Sequence, residues 1–198
     1  MKAQMKFQKI VCLVCLLASV LTFVYGLGIC TDLQGFLYYL SKENGKPQVD
    51  GANIYYDIQP FNRQFVNGAI VSILISVTLF ITMTNKRRKY YISNFVSGIA
   101  VVVYNIYFFI KHIPTCMAFR YQYVNGVDWH GPKGAEYYAE YYSLTYTEST
   151  FWFDAIYIAF AVMMVALALL VANFIWKILL VKHENKLLSL NKEVGNNE

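Results

Sequence analysis

The chain lacks the composition of a soluble protein. Only 15% of its 198 residues are charged, whereas soluble domains carry about 25%. Four cysteines are too few for a disulfide scaffold, and 11 glycines with 4 prolines are too few for a collagen-like or disordered chain. What is present is 57% hydrophobic residues, including 17 tyrosines and 14 phenylalanines. This composition excludes a soluble enzyme and favours an integral membrane protein.

Charged residues are absent from four runs of 21 or 22 residues each. A helix needs about 20 apolar residues to cross a bilayer core of roughly 30 Å. We therefore predict an all-α membrane protein, a four-helix transmembrane domain over residues 1–182 and a cytoplasmic tail over 183–198. The predicted transmembrane helices cover residues 8–29, 65–85, 90–112 and 153–181.

The distribution of charge predicts the orientation of these helices. Eleven of the 17 basic residues lie before the first run, between the second and third, or after the fourth, together with three acids. The other six basic residues and nine acids lie on the opposite side, in the loops 30–64 and 113–152 or at the adjoining helix ends, where Lys111 and Asp154 are counted. The positive-inside rule then places both termini in the cytoplasm and both long loops outside the cell membrane. The net charge of +5 thus reflects orientation and does not indicate a nucleic-acid partner.

The N-terminal segment has an alternative interpretation as a secretory signal peptide. Lys2, Lys6 and Lys9 precede an apolar run, and cleavage near Gly28 would leave three spans. The run is longer than the usual 7–15 apolar residues and no A-x-A site follows it. We therefore expect a retained first helix.

Small and polar residues inside the runs predict helix packing, because small side chains let backbones approach and amides or hydroxyls bond across the contact. No Asp, Glu, Lys, Arg or His lies inside the four runs, which weighs against a proton-coupled transporter built from this chain alone. The residues expected to pack helix against helix are Ser72, Ser76, Asn94, Ser97, Gly98, Asn105 and Asn173.

The four cysteines form two different groups. Cys12 and Cys15 form a C-x-x-C inside the first apolar run, where cysteine acts as a small hydrophobe. Cys30 and Cys116 follow the predicted outer ends of the first and third helices, where a disulfide persists if the two ends adjoin. Two free thiols are the alternative. A membrane thiol-disulfide oxidoreductase using Cys30 and Cys116 is the alternative function, although enzymes of the DsbB and vitamin K epoxide reductase type use a reactive C-x-x-C on the outer face.

No cofactor or metal ion is expected. His112, Cys116, Asp128 and His130 share the predicted outer face, but Pro114 interrupts the histidine–cysteine spacing and no second ligand pair has a zinc-site spacing. The chain also contains no P-loop, G-x-S-x-G, H-E-x-x-H or kinase motif. The sequence therefore predicts a protein that is not an enzyme.

The two outer loops are rich in aromatic residues. In the first loop, residues 36–40 and 53–57 flank a turn-rich stretch, which predicts a short hairpin or irregular strands. Pro60 and Asn62, a plausible N-cap, are expected to begin the second helix. After Lys177, an amphipathic extension on the inner leaflet and a disordered tail from Asn191 are expected.

In the second loop, residues 134–147 are predicted to form a short interfacial helix with a stripe of tyrosines. Such aromatic side chains are typical of a membrane-interface belt. They are equally suited to recognising a partner protein or an extracytoplasmic carbohydrate. The candidate recognition residues are Trp129, Tyr137, Tyr138, Tyr141, Tyr142 and Trp152.

Residues 55–62 (YYDIQPFN), 88–94 (RKYYISN) and 149–154 (STFWFD) resemble uncharacterised bacterial four-span membrane proteins encoded near carbohydrate ABC importers. The resemblance spans most of the chain and implies an accessory role at a sugar importer, without catalytic or binding residues. We therefore expect a non-catalytic accessory or assembly subunit. Its expected partners are the lipid bilayer, another integral membrane protein, and an extracytoplasmic carbohydrate or binding protein.

Overall fold

A computed structural model describes residues 2–33, 50–51, 53–84, 91–128 and 149–195. Within these ranges the chain forms helices and no strand. The four long helices are α1 (Lys2–Gly28), α2 (Ile54–Thr84), α3 (Tyr91–Asn125) and α4 (Phe151–Gly195). A π-helical turn, Ile29–Leu33, continues α1. Each long helix is apolar and long enough to cross a membrane, which confirms the prediction of an all-helical protein with four candidate spans.

The helices pack as a four-membered ring. Helix α1 packs mainly against α2 and α4, and α3 packs mainly against the same two helices. The core between them contains buried side chains such as Phe65, Phe109, Met163 and Leu170, while the outward faces are also apolar. Helices that are hydrophobic on all sides are typical of membrane spans. After the predicted orientation, we call the end near Asp154 the outer end and the end near Lys177 the inner end.

Helices α2 and α3 extend further at the outer end than predicted. Residues 54–64 and 113–125 are helical, although both were assigned to the outer loops. The prediction of a hairpin or irregular strand at residues 53–57 is wrong, because α2 begins at Ile54. The carbonyl oxygen of Asn53 accepts hydrogen bonds from the backbone amides of Tyr56 and Asp57 in its first turn. Asn62 is a buried residue inside α2 and not its N-cap. The distance between charged residues indicates only the part of a helix that lies in the hydrocarbon core. A helix can continue beyond the core where its side chains pack against a neighbour, as Phe61 of α2 does against Phe119 of α3, with ring centroids 5.6 Å apart.

Helix α4 also extends beyond its predicted end at residue 181. Its 45 residues correspond to about 67 Å at 1.5 Å per residue, more than twice the bilayer core. The tail that was expected to be disordered from Asn191 is helical up to Gly195. The predicted interfacial helix at 134–147 and about half of each aromatic loop (residues 34–49, 52 and 129–148) lie outside the described residues.

Candidate functional site

A network of hydroxyl and amide groups lies in the middle of the bundle. Ser72 Oγ is 2.6 Å from Asn105 Oδ1 and 3.0 Å from Ser19 Oγ, which in turn is 2.9 Å from Ser76 Oγ. Because an amide oxygen only accepts, the Ser72 hydroxyl donates to Asn105. Asn105 Nδ2 donates to the carbonyl of Val101 at 2.8 Å. The four polar side chains are fully buried, so the network joins α1, α2 and α3 inside the membrane span.

A second network of amides lies at the inner end. Gln4 Nε2 donates to Gln8 Oε1 at 3.0 Å and to Asn173 Oδ1 at 3.1 Å. Gln8 Nε2 donates to the carbonyl of Met83, near the end of α2. These bonds connect α1, α2 and α4. Asn173 Nδ2 is buried and has no hydrogen-bond partner within the described ranges.

Most of the polar residues of α1 were not predicted to pack against other helices. They recur at almost every turn on the side that faces the bundle. Their spacing of three or four residues is the sequence pattern from which their packing inside the bundle could have been predicted. Polar groups at these positions allow α1 to hydrogen-bond to its neighbours throughout its length. The buried residues of this side with hydrogen-bonding groups are Gln4, Gln8, Cys12, Cys15, Ser19, Thr22 and Tyr25.

The packing residues predicted on the inner half of α3 contact both neighbouring helices. Ser97 Oγ lies 3.0 Å from Thr82 Oγ1 of α2. On the other side, a Cβ added at Gly98 would lie 2.0 Å from Cζ of Phe174, so the ring of Phe174 packs directly on the glycine backbone of α3. Asn94, one turn before Gly98, is also buried.

At the outer end, Tyr25 and Trp152 connect α1 to the start of α4. Tyr25 Oη donates to the Trp152 carbonyl at 2.7 Å. The indole of Trp152 packs over Gly28, where a Cβ would lie 2.2 Å from the ring. Trp152 was predicted to recognise a partner. The structure places it half-buried against α1, where it contributes to the bundle itself.

An ion pair connects the outer ends of α3 and α4. Arg120 Nε donates to Asp154 Oδ1 at 2.8 Å. Thr150 Oγ1 donates to the other carboxylate oxygen of Asp154 at 2.5 Å, and the backbone amide of Asp154 bonds to the Thr150 carbonyl. Neither the pair nor its geometry was predicted, because 34 residues separate its members.

The disulfide considered between Cys30 and Cys116 is not formed in the structure, where all four cysteines are free thiols. Cys116 is buried, with its sulfur 3.8 Å from the carbonyl oxygen of Phe153. Cys30 is half-buried at the end of α1. Cys12 and Cys15 are both fully buried among core residues.

His112 lies inside a cluster of phenylalanine rings. Its Nδ1 is 2.7 Å from the Phe108 carbonyl oxygen and therefore carries the proton that it donates. The rings of Phe61, Phe65 and Phe108 surround it at centroid distances of 5.9, 5.4 and 4.4 Å. In the described part of the chain, Nε2 has no hydrogen-bond partner, and no group of three His, Cys, Asp or Glu side chains could hold a metal ion.

The remaining predicted recognition residues, Trp129, Tyr137, Tyr138, Tyr141 and Tyr142, lie outside the described residues, as does His130. No known protein family, curated protein or solved structure matches the chain. The buried polar groups are mostly neutral side chains that hydrogen-bond to one another, and these hydrogen bonds connect the helices.

Proposed function

We propose that the protein is a non-catalytic subunit of a larger complex in the cell membrane, with both termini in the cytoplasm. One observation carries this proposal: the buried hydroxyl and amide groups bond across the bundle, as in the network of Ser19, Ser72 and Asn105. Such bonds fix the arrangement of the helices. The surfaces that remain available to other molecules are the apolar outward faces and the helical extensions beyond the membrane.

The proposed partner is another integral membrane protein, and a carbohydrate ABC importer is the class that the sequence resemblance implies. The extensions support a subunit that contacts its partner on both sides of the bilayer. Helices α2 and α3 extend at the outer end, and α4 extends at the inner end to Gly195.

Affinity purification from native membranes in a mild detergent, followed by mass spectrometry, tests this proposal. We expect a membrane protein to co-purify in a fixed ratio, and importer subunits to be enriched over an unrelated four-span protein that carries the same tag. A chain that purifies alone as a stable monomer would contradict the subunit function.

Substitution of the tyrosines in the second outer loop distinguishes two roles for them, recognition of the partner and an interfacial belt. If Tyr138 and Tyr142 recognise the partner, their replacement by alanine reduces co-purification while the amount of membrane-inserted protein is unchanged. If they belong only to an interfacial belt, complex formation is unchanged. Replacing Tyr157, an exposed tyrosine of α4, provides the matched control.

Thiol-disulfide exchange is the second function that the sequence raises. It requires Cys30 and Cys116 to approach each other and to be accessible. The structure favours it less, because Cys116 is 1% exposed. A quinone-dependent thiol oxidation assay on the purified protein separates the two functions.

A further inference from the structure

Two sulfur atoms meet between α1 and α2 in the inner half of the bundle. Cys12 Sγ of α1 lies 3.5 Å from Met83 Sδ of α2. Cys12 is 0% exposed and Met83 is 3% exposed, so both side chains are closed off from the surroundings of the bundle. Gln8, one turn before Cys12, donates a hydrogen bond to the Met83 carbonyl and holds the end of α2 beside α1. A thiol and a thioether are therefore fixed side by side in a dry site.

A second thiol lies on the same side of α1. Cys15 follows Cys12 by three residues, a spacing that puts two side chains on one helical face with their Cβ atoms about 5–6 Å apart. Cys15 is also fully buried, and its sulfur lies 3.6 Å from the Ala166 carbonyl oxygen of α4. Neither thiol is in a disulfide. Two thiols and one thioether are thus gathered within one turn of α1, where it meets α2 and α4.

These side chains are ligands for a particular class of metal ion. Thiolate and thioether sulfur are soft ligands that favour Cu(I), whereas Mg²⁺, Ca²⁺ and Mn²⁺ prefer oxygen ligands. Structural zinc sites almost always have four ligands, drawn from thiolate, imidazole and carboxylate groups. No three His, Cys, Asp or Glu side chains come together for such a site in the described part of the chain. The sulfur group therefore fits Cu(I) better than Zn²⁺.

The bundle also supplies a countercharge for such a site. Cu(I) bound by two thiolates and a neutral thioether carries one net negative charge, and an isolated charge is costly to bury. Lys177 of α4 is half-buried at the inner end and is close enough to Cys12 for an electrostatic interaction. Its ammonium group compensates the negative charge of the bound copper.

We propose that Cys12, Cys15 and Met83 bind one Cu(I) ion, a property that does not depend on the proposed subunit function. Each thiol releases its proton to solvent as its copper–sulfur bond forms, and copper stays Cu(I), so no oxidant or reductant takes part. With metal–thiolate bonds of about 2.3 Å, as in zinc sites, a trigonal arrangement separates its sulfur atoms by about 4.0 Å. The contact between Cys12 and Met83 opens by about 0.5 Å to reach this separation, and methionine allows it with three rotatable bonds.

Copper binding by the purified, detergent-solubilised chain tests the proposal. A Cys30→Ala background removes the thiol at the end of α1, which is less buried than the others. Under anaerobic conditions, with a chromogenic Cu(I) chelator as competitor, this chain should retain one copper ion. Cys12→Ser, Cys15→Ser and Met83→Leu should each weaken retention at least about tenfold, the lower limit when even an outer-shell partner of a metal ligand is removed.

Cys116 and Met117 provide the matched control. They are a buried thiol and a partly buried thioether on the outer half of α3. Cys116→Ser and Met117→Leu remove the same kinds of atom away from the site, so both variants should retain copper as the parent chain does. If the parent chain retains no copper, or if Cys12→Ser retains as much as the parent, the proposal is wrong.

X-ray absorption spectroscopy gives a readout that needs no substitution at the site. The copper-loaded chain should contain Cu(I) with sulfur neighbours only, at about 2.3 Å. Nitrogen or oxygen neighbours would overturn the proposed ligand set. Circular dichroism of each variant shows whether its helices are intact, and for a variant that loses them the absorption spectrum of the parent chain decides.

Discussion

Ser19, Ser72 and Asn105 are neutral polar residues in apolar surroundings, and each is bonded to a residue of a different helix. In the bilayer core, water is not available to satisfy such groups, so their partners must come from the protein. Hydrogen bonds between transmembrane helices average about 0.6 kcal/mol, with larger values near 1.7 kcal/mol. A network of several bonds therefore fixes the relative positions of the helices more than it adds to their stability.

Removal of the Ser72 hydroxyl tests the central network. Ser72→Ala should lower the free energy of unfolding by about 1 kcal/mol, because Asn105 Oδ1 loses its donor. Thr78 is the control, since its hydroxyl bonds only to the Leu74 carbonyl of its own helix. Thr78→Val should change stability by less than about 0.5 kcal/mol. Equilibrium unfolding in mixed micelles measures both, and equal effects would contradict a special role for the network.

The cysteines give a second prediction for individual residues. After denaturation without reductant, alkylation should modify all four thiols, because none is in a disulfide. In the folded, detergent-solubilised protein, a polar maleimide should label Cys30 and leave Cys116 unmodified, since Cys116 is buried. Intact mass measures both, with Cys116→Ser as the control for assignment. Two thiols that react only after reduction would show that a disulfide forms.

At the scale of helices, close contacts determine which faces meet. Helix α3 approaches α2 at Gly68, where a Cβ would lie 2.4 Å from the Phe108 ring, and approaches α4 at Gly98. At each glycine, an aromatic ring of the neighbouring helix packs directly on the backbone. Small residues at such contacts allow close helix packing in membranes. The ring arrangement of four helices therefore depends on a few glycine–aromatic contacts as well as on the polar networks.

An added methyl group at Gly98 tests the contact between α3 and α4. Gly98→Ala should destabilise the protein by about 1–3 kcal/mol, because the Phe174 ring must move. Phe174→Leu removes the end of that ring, so the double variant should lose less stability than the sum of the two single variants.

Ala100 provides the control for this experiment, because it lies two residues further along α3 and is exposed. Ala100→Val should leave stability nearly unchanged. Thermal unfolding in one detergent measures all four variants. Additive effects of Gly98→Ala and Phe174→Leu would show that the two residues do not interact in solution.

At the scale of the whole molecule, the separation of charge predicts orientation. The cytoplasmic side as predicted carries 11 basic residues and three acids, and the opposite loops, with Lys111 and Asp154 at the adjoining helix ends, carry six and nine. Translocation of basic segments is disfavoured, so both termini should remain inside.

Accessibility of introduced cysteines measures this orientation. In a Cys30→Ala background, an impermeant thiol reagent added to intact cells should react with Asp128→Cys and not with Asn185→Cys, both of which replace exposed residues. Permeabilised cells, in which both sites should react, are the control. Reaction of Asn185→Cys in intact cells would reverse the predicted topology.

The sequence alone determined the number of long apolar helices and the approximate position of each, because the apolar length needed to cross a bilayer is a local property of the chain. It did not determine the helix ends. The continuation of α2 through residues 54–64 depends on packing against α3, as in the contact of Phe61 with Phe119, and no local composition signals that contact.

The tertiary structure alone decided which polar groups meet. The sequence indicated that Ser72 and Asn105 pack between helices, but it did not indicate that they bond to each other, or that Ser19 joins them across 53 residues of chain. Likewise, the burial of Cys116 and the outward position of Lys111 follow from how α3 is rotated within the bundle. Apolar length is encoded in consecutive residues, whereas helix rotation is set by contacts between distant ones, and this is why the sequence showed the spans and only the fold showed the surfaces.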